Sequence, residues 1–266
     1  MTRQWTRFAA LGDSITEGWC DPVIGGSGEP WFGWADRLAL EIDRHQRAGD
    51  PAARRLEFAN LAVRGRRVRH VVEEQIPEAI AMKADLVSVL VGGNDLGSIK
   101  VDPDALAAHL ETGVAKLAAT GATVLLATPY DPAFSRVLRM LRGRTAVYAA
   151  HVQTIAAKHG CRVLDLWSIP GLAAKGMWSE DRLHPSTRGH LALVRAAAAS
   201  LGLPAPDEGD VADPRHLPNT VWFRRHALPW ISRRLRQVSS GDGLGPKLPQ
   251  PVPVAVLEPE SVLPRR

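Results

Sequence analysis

The sequence predicts an α/β fold, a parallel β-sheet layered between helices as a three-layer αβα sandwich, and three observations carry the prediction. Five short apolar runs with strand-like composition recur at residues 6–11, 56–62, 85–92, 123–129 and 162–167. The segments between them are long enough for helices and show helical spacing, as expected when successive strands are joined by helical crossovers. The runs are continuously apolar instead of alternating, which fits strands covered on both faces.

The first run, TRFAAL, begins so close to Met1 that no apolar secretory segment fits before it. No stretch approaches the roughly 18 apolar residues of a membrane span. A soluble, cytoplasmic protein is expected. The run leads into LGDSITEG, which puts Ser14 at a strand-to-helix turn between Gly12 and Gly18. The second run ends in NLAVRGRRV with Gly65 just beyond it. The third enters VGGNDL, where Asn94 can turn its amide into the crevice at the strand ends. Asp102 and Pro103 then read as helix cap and first turn, with Leu106, Leu110, Val114 and Leu117 on one face. TVLLATP and RVLDLW supply the last two strands, and WSEDRLHPS follows with Asp181 and His184 three residues apart.

Each signal alone has an ordinary reading. Gly-Asp-Ser is common turn chemistry, a βα-loop glycine is usually structural, Asn-Asp caps helices, and nine histidines occur in the chain. Together they place a nucleophile, donors and a base with its orienting carboxylate at one rim of the sheet, where loops gather. A serine hydroxyl needs a base such as imidazole to take its proton as it attacks an acyl carbon. The oxyanion that forms needs donors, and Ser14 N–H, Gly65 N–H and the Asn94 side chain offer three.

These residues resemble the SGNH hydrolases, the GDSL-type esterase and lipase family. GDSI at 12–15 is similar to its first block, Gly65 in NLAVRG to its second, GGND at 92–95 to its third and DRLH at 181–184 to its fifth. Ile15 stands where the family name has leucine. The resemblance implies a flavodoxin-like, five-stranded parallel sheet, with Ser14 as nucleophile, His184 as base and Asp181 as its orienter. It implies the same oxyanion donors, a small-molecule ester substrate, and neither metal nor organic cofactor. A sugar O-acetylesterase, a thioesterase, an acyltransferase and a non-catalytic acyl- or lipid-binding protein are the alternatives.

A GxSxG elbow is absent, and GGSGEP at 25–30 reads as a flexible loop over the site. Asp13 and Asp95 read as turn and cap residues, and Cys20 as a small hydrophobe. Trp19, Trp31, Trp34 and Trp178 either wall the site or anchor the core. Cys20 and Cys161 suggest neither a disulfide framework nor a zinc site, which fits a reducing compartment. The excess of 33 Lys+Arg over 28 Asp+Glu is scattered, so nucleic acid is not indicated as a partner.

Composition changes near residue 202, dividing a hydrolase domain (1–202) from a Pro-rich extension (203–266). Eleven of the twenty prolines fall in that extension, and their spacing from residue 245 onward argues against sheet or helix. Within it, 219–238 is basic and amphipathic. The favoured reading has its apolar face packed back on the domain, ahead of contact with an anionic membrane surface.

Overall fold

In the computed structural model, residues 4–257 are described apart from 23–30, 51, 99, 136–137, 207–210, 212–213, 215 and 237. The glycine-rich 25–30 segment therefore lies outside the described residues. The five apolar runs form strands β1 (Arg7–Gly12), β2 (Glu57–Asn60), β3 (Leu86–Leu90), β4 (Thr123–Ala127) and β5 (Arg162–Leu164). All are parallel, in the order β5-β4-β3-β1-β2. Side chains alternate across the central strand: Phe8 and Ala10 enter one core, Ala9 and Leu11 the other.

The sheet has six strands, not the expected five. Strand β6 (Leu248–Pro253) lies antiparallel on β2, pairing Val252 with Phe58 and Leu248 with Asn60 across an irregular register. The proline spacing that argued against a strand is what fits this one. Pro249, Pro251 and Pro253 alternate, so all three missing N–H groups fall on one side of the strand, the side an edge position leaves unpaired. Beyond the strand, Val254 and Leu257 are buried in the first core.

The helices are α1 (Ser14–Glu17), α2 (Trp34–Gly49), α3 (68–81), α4 (Gly93–Leu96), α5 (Pro103–Ala119), α6 (Arg142–His159), α7 (Thr187–Leu201) and α8 (219–235). Trp34, Leu38 and Ile42 of α2 pack with Leu193, Val194 and Ala197 of α7 on one face of the sheet. On the other face, Val72 and Ile76 of α3, Leu110, Val114 and Leu117 of α5, and Tyr148 and Val152 of α6 form the second core. Asp102 caps α5 by accepting the Asp104 N–H at 3.0 Å.

Both α3 and α8 contain a π turn, Val71–Gln75 and Phe223–Ala227, and each ends two residues before a proline, Pro77 and Pro229. Proline cannot donate to the helix ladder, and a widened turn accommodates the carbonyl left without its usual donor. No helix among the described residues is long and apolar enough to cross a membrane.

Candidate active site

The site begins where β1 gives way to α1. Gly12 has φ +151°, and a Cβ there would lie 2.3 Å from Leu90 O and 2.8 Å from Thr16 Oγ1, so only glycine lets the chain pass. Gln75, in the π turn of α3, clamps the same peptide: Gly12 N–H donates to its Oε1 at 2.7 Å, and its Nε2 donates back to Gly12 O at 3.0 Å. Asp13 caps α1 by accepting the Ile15 N–H at 3.2 Å. Ser14 is thereby the first residue of a helix, where an N–H has no intrahelical acceptor.

Asp181 and His184 stand in the loop before α7. Asp181 Oδ1 accepts from Ser179 Oγ at 2.7 Å, Leu183 N–H at 2.9 Å and His184 N–H at 3.0 Å, so the carboxylate folds the loop around itself. Its Oδ2 accepts from His184 Nδ1 at 2.6 Å. Across 170 residues of sequence, His184 Nε2 lies 2.8 Å from Ser14 Oγ. Burial disfavours the Asp181 anion, but the His184 charge and these donors outweigh it and hold the carboxyl well below its usual range. Burial likewise opposes a charged His184, and the Asp181 carboxylate prevails, lifting the imidazole to about 10.

Gly65 (φ +77°) and Asn94 line the same cavity as Ser14. The Asn94 amide donates to Arg66 O at 3.0 Å and to Asp13 Oδ2 at 3.3 Å. Asp95 accepts the Val68 N–H at 3.0 Å, tying the end of β3 to the start of α3. Burial raises the Asp13 carboxyl to about 7.

Two residues that sequence reasoning missed fix the Gly65 loop to α1. Arg64 donates its backbone N–H to Glu17 Oε2 at 2.6 Å and its Nε to Oε1 at 2.9 Å, and its guanidinium lies 3.5 Å from the centre of the Trp19 ring. Both residues are buried. The only signal was a glutamate one turn past Ser14 and an arginine beside Gly65, which look like surface charges until the fold brings them together.

Of the tryptophans, Trp19 lines the cavity, with Trp31 against it at 5.2 Å between ring centres. Trp34 and Trp178 are core residues, and Trp178 stacks on Phe134 at 4.4 Å. The Cys20 thiol lies 3.7 Å from Asp181 Oδ2, and burial raises its pKa, which favours thiol over thiolate. Cys20, Asp181 and His184 place ligand atoms within 4.8 Å of one another. A metal held there would have to displace the hydrogen bonds that both His184 ring nitrogens and Asp181 already make.

The cavity, about 560 Å³, is closed on one side by the extension, through Pro229, Trp230 and Arg233 of α8 and residues 238–242. Trp222 donates its indole N–H to Asp181 O at 2.9 Å, and Ser239 sits where a Cβ on Gly65 would fall.

The chain belongs to the GDSL-like lipase/acylhydrolase family, whose model matches residues 10–192. It is thus a hydrolase acting on ester bonds. Among solved structures, LAE5, an alpha/beta hydrolase enzyme from the metagenome of Lake Arreo, Spain, is 28% identical. It superposes with a TM-score of 0.60, covering 74% of this chain and 95% of its own. Axe2, an acetyl xylan esterase from Geobacillus stearothermophilus, shares the fold at 23% identity and a TM-score of 0.61, covering 76% of this chain and 97% of its own. No curated protein matches the sequence.

Proposed function

We propose that the protein hydrolyses small carboxylic esters through an acyl-enzyme on Ser14. The observation that carries this reading is the continuous chain Ser14 Oγ, His184, Asp181, with separations of 2.8 and 2.6 Å. His184 Nε2 takes the Ser14 proton as Oγ bonds to the acyl carbon, and the carbonyl electron pair moves onto oxygen. That oxyanion is met by Ser14 N–H, Gly65 N–H and the Asn94 amide, whose longer contact, to Asp13, yields to it. As the tetrahedral species collapses, the bond to the alcohol oxygen breaks and His184 returns the proton to that oxygen. Water then repeats the sequence on the acyl-enzyme, releasing the acid and restoring Ser14. Asp181 keeps Nδ1 protonated and Nε2 aimed at the serine throughout.

The test is hydrolysis of p-nitrophenyl acetate together with labelling by a fluorophosphonate. Ser14→Ala is expected to lower kcat by about 10³-fold or more while the protein stays folded, and the label is expected on Ser14. Turnover unchanged in that variant, or a label elsewhere, would refute the assignment.

A further inference from the structure

The cavity over Ser14 is lined by Arg64, Arg66, Arg67, Arg69, Arg225 and Arg233, against two carboxylates, Asp181 and Asp242. Asp181 is committed to His184, and Asp242 accepts the Ser239 N–H at 2.8 Å. Three of the arginines are balanced: Arg64 by Glu17, Arg66 by Glu74 at 3.7 Å and Arg225 by Glu180 at 3.5 Å. Arg67, Arg69 and Arg233 are exposed and have no acidic partner among the described residues.

Uncompensated cations on a concave wall focus their field into the cavity instead of spreading it over the surface. His70, on the same wall, registers that field. Its Nδ1 accepts the Arg67 N–H at 3.0 Å, and its pKa is depressed first by burial and then by the charges of Arg69 and Arg66. A site for neutral esters alone gains nothing from three unpaired guanidinium groups at its mouth. An oxyanionic group gains charge-assisted hydrogen bonds from each fork it meets.

Building on the esterase reading of Ser14, we infer that the preferred ester carries an oxyanionic group, phosphate or carboxylate, held by Arg67, Arg69 and Arg233 while its acyl carbon lies at Ser14 Oγ. Arg233 comes from α8, beyond the 10–192 stretch that matches the family model. The extension thus supplies part of the specificity of a site whose reacting groups lie within that stretch.

The test compares three aryl acetates on the full chain: methyl 4-acetoxybenzoate, its free carboxylate, and 4-acetoxyphenyl phosphate. At low salt at least one anionic ester is expected to exceed the neutral one in kcat/KM by about tenfold. The gain should lie mainly in KM and shrink as added salt screens the rim. Which anion gains more names the group. In an Arg67→Ala/Arg233→Ala variant the anionic-to-neutral ratio should fall toward one, and Arg67→Lys/Arg233→Lys should restore it only in part. Arg224→Ala, on α8 but outside the cavity lining, should leave the ratio as in the parent.

Calorimetry of benzoate and phenyl phosphate binding to Ser14→Ala reads the same rim without chemistry. Binding of either that weakens about tenfold on the double arginine substitution supports the inference. Equal kcat/KM for neutral and anionic esters, or an anionic preference that survives the double substitution, overturns it. If no ester turns over, the Ser14 reading fails, while the calorimetry still decides the role of the arginines.

Discussion

His184 stands between two demands that pH separates. Only neutral imidazole can take the serine proton, yet the Asp181 carboxylate, outweighing burial, raises its pKa from 6.5 to about 10. We therefore expect kcat/KM to climb with pH through neutrality toward about 10. Asp181→Asn, lacking the charge, should bring that limb back toward 6.5 and lower the plateau by on the order of 10⁴-fold. Stability runs the other way. A raised histidine pKa stabilises the fold fully below 6.5 and loses that contribution as pH rises through about 10, while the depressed Asp181 contributes above 3.8. The pair thus favours the folded state most between about 4 and 6.5, where hydrolysis is slow. A pH-rate profile set beside denaturation midpoints at pH 5 and 9 checks both signs. Ser14, Gly65, Asn94, Asp181 and His184 could be read from sequence as neighbours because each follows a strand. Glu17, Arg64 and Gln75 could not, because their partners lie 47 and 63 residues away and nothing local marks them.

Strand β6 is joined to the body by more than its ladder. Lys247, just ahead of it, donates from Nζ to Glu17 O at 2.7 Å, Trp31 O at 2.9 Å and Asp36 Oδ2 at 2.7 Å. Asp36 is buried and already accepts the Gly33 N–H, so burial pushes its carboxyl up while Lys247 pulls it down. Lys247→Met should leave that carboxylate without its cation and destabilise the protein by about 3 kcal/mol. Adding Asp36→Asn should recover part of the loss; chemical denaturation of the two variants measures it. Composition alone hid this element, because proline density resembles an unstructured segment until the alternation at 249, 251 and 253 is matched to a sheet edge. The five parallel strands had no such ambiguity, since their apolar runs need cover on both sides. The short strand β5 is the exception in extent: the sequence run reaches residue 167, but the ladder ends at Leu164 as the chain turns into the loop after it.

At the scale of the molecule, the extension covers the open edge of β2 and one side of the cavity. The half-buried Trp222 and Trp230 of α8 face inward, whereas Phe223 and Leu228 remain about half exposed. Truncation after residue 202 should therefore bare the β2 edge, lower the Tm by several degrees or more and promote self-association. Calorimetry and size-exclusion chromatography follow both outcomes. The amphipathic pattern of 219–238 was readable in the sequence. Its place against the Asp181 loop was not, because that docking rests on a single indole N–H and on pairs such as His226 with Glu180.

The pairing of Glu57 with Pro253 spans almost two hundred residues, and it is the widest closure in the sheet. On a growing chain, β2 must wait, edge uncovered, until everything between the two has been synthesised. Loop closure over such a span is slow to nucleate, so the wall over Ser14 should be among the last parts to assemble. A nascent chain would then acquire its sheet before it acquires its selectivity.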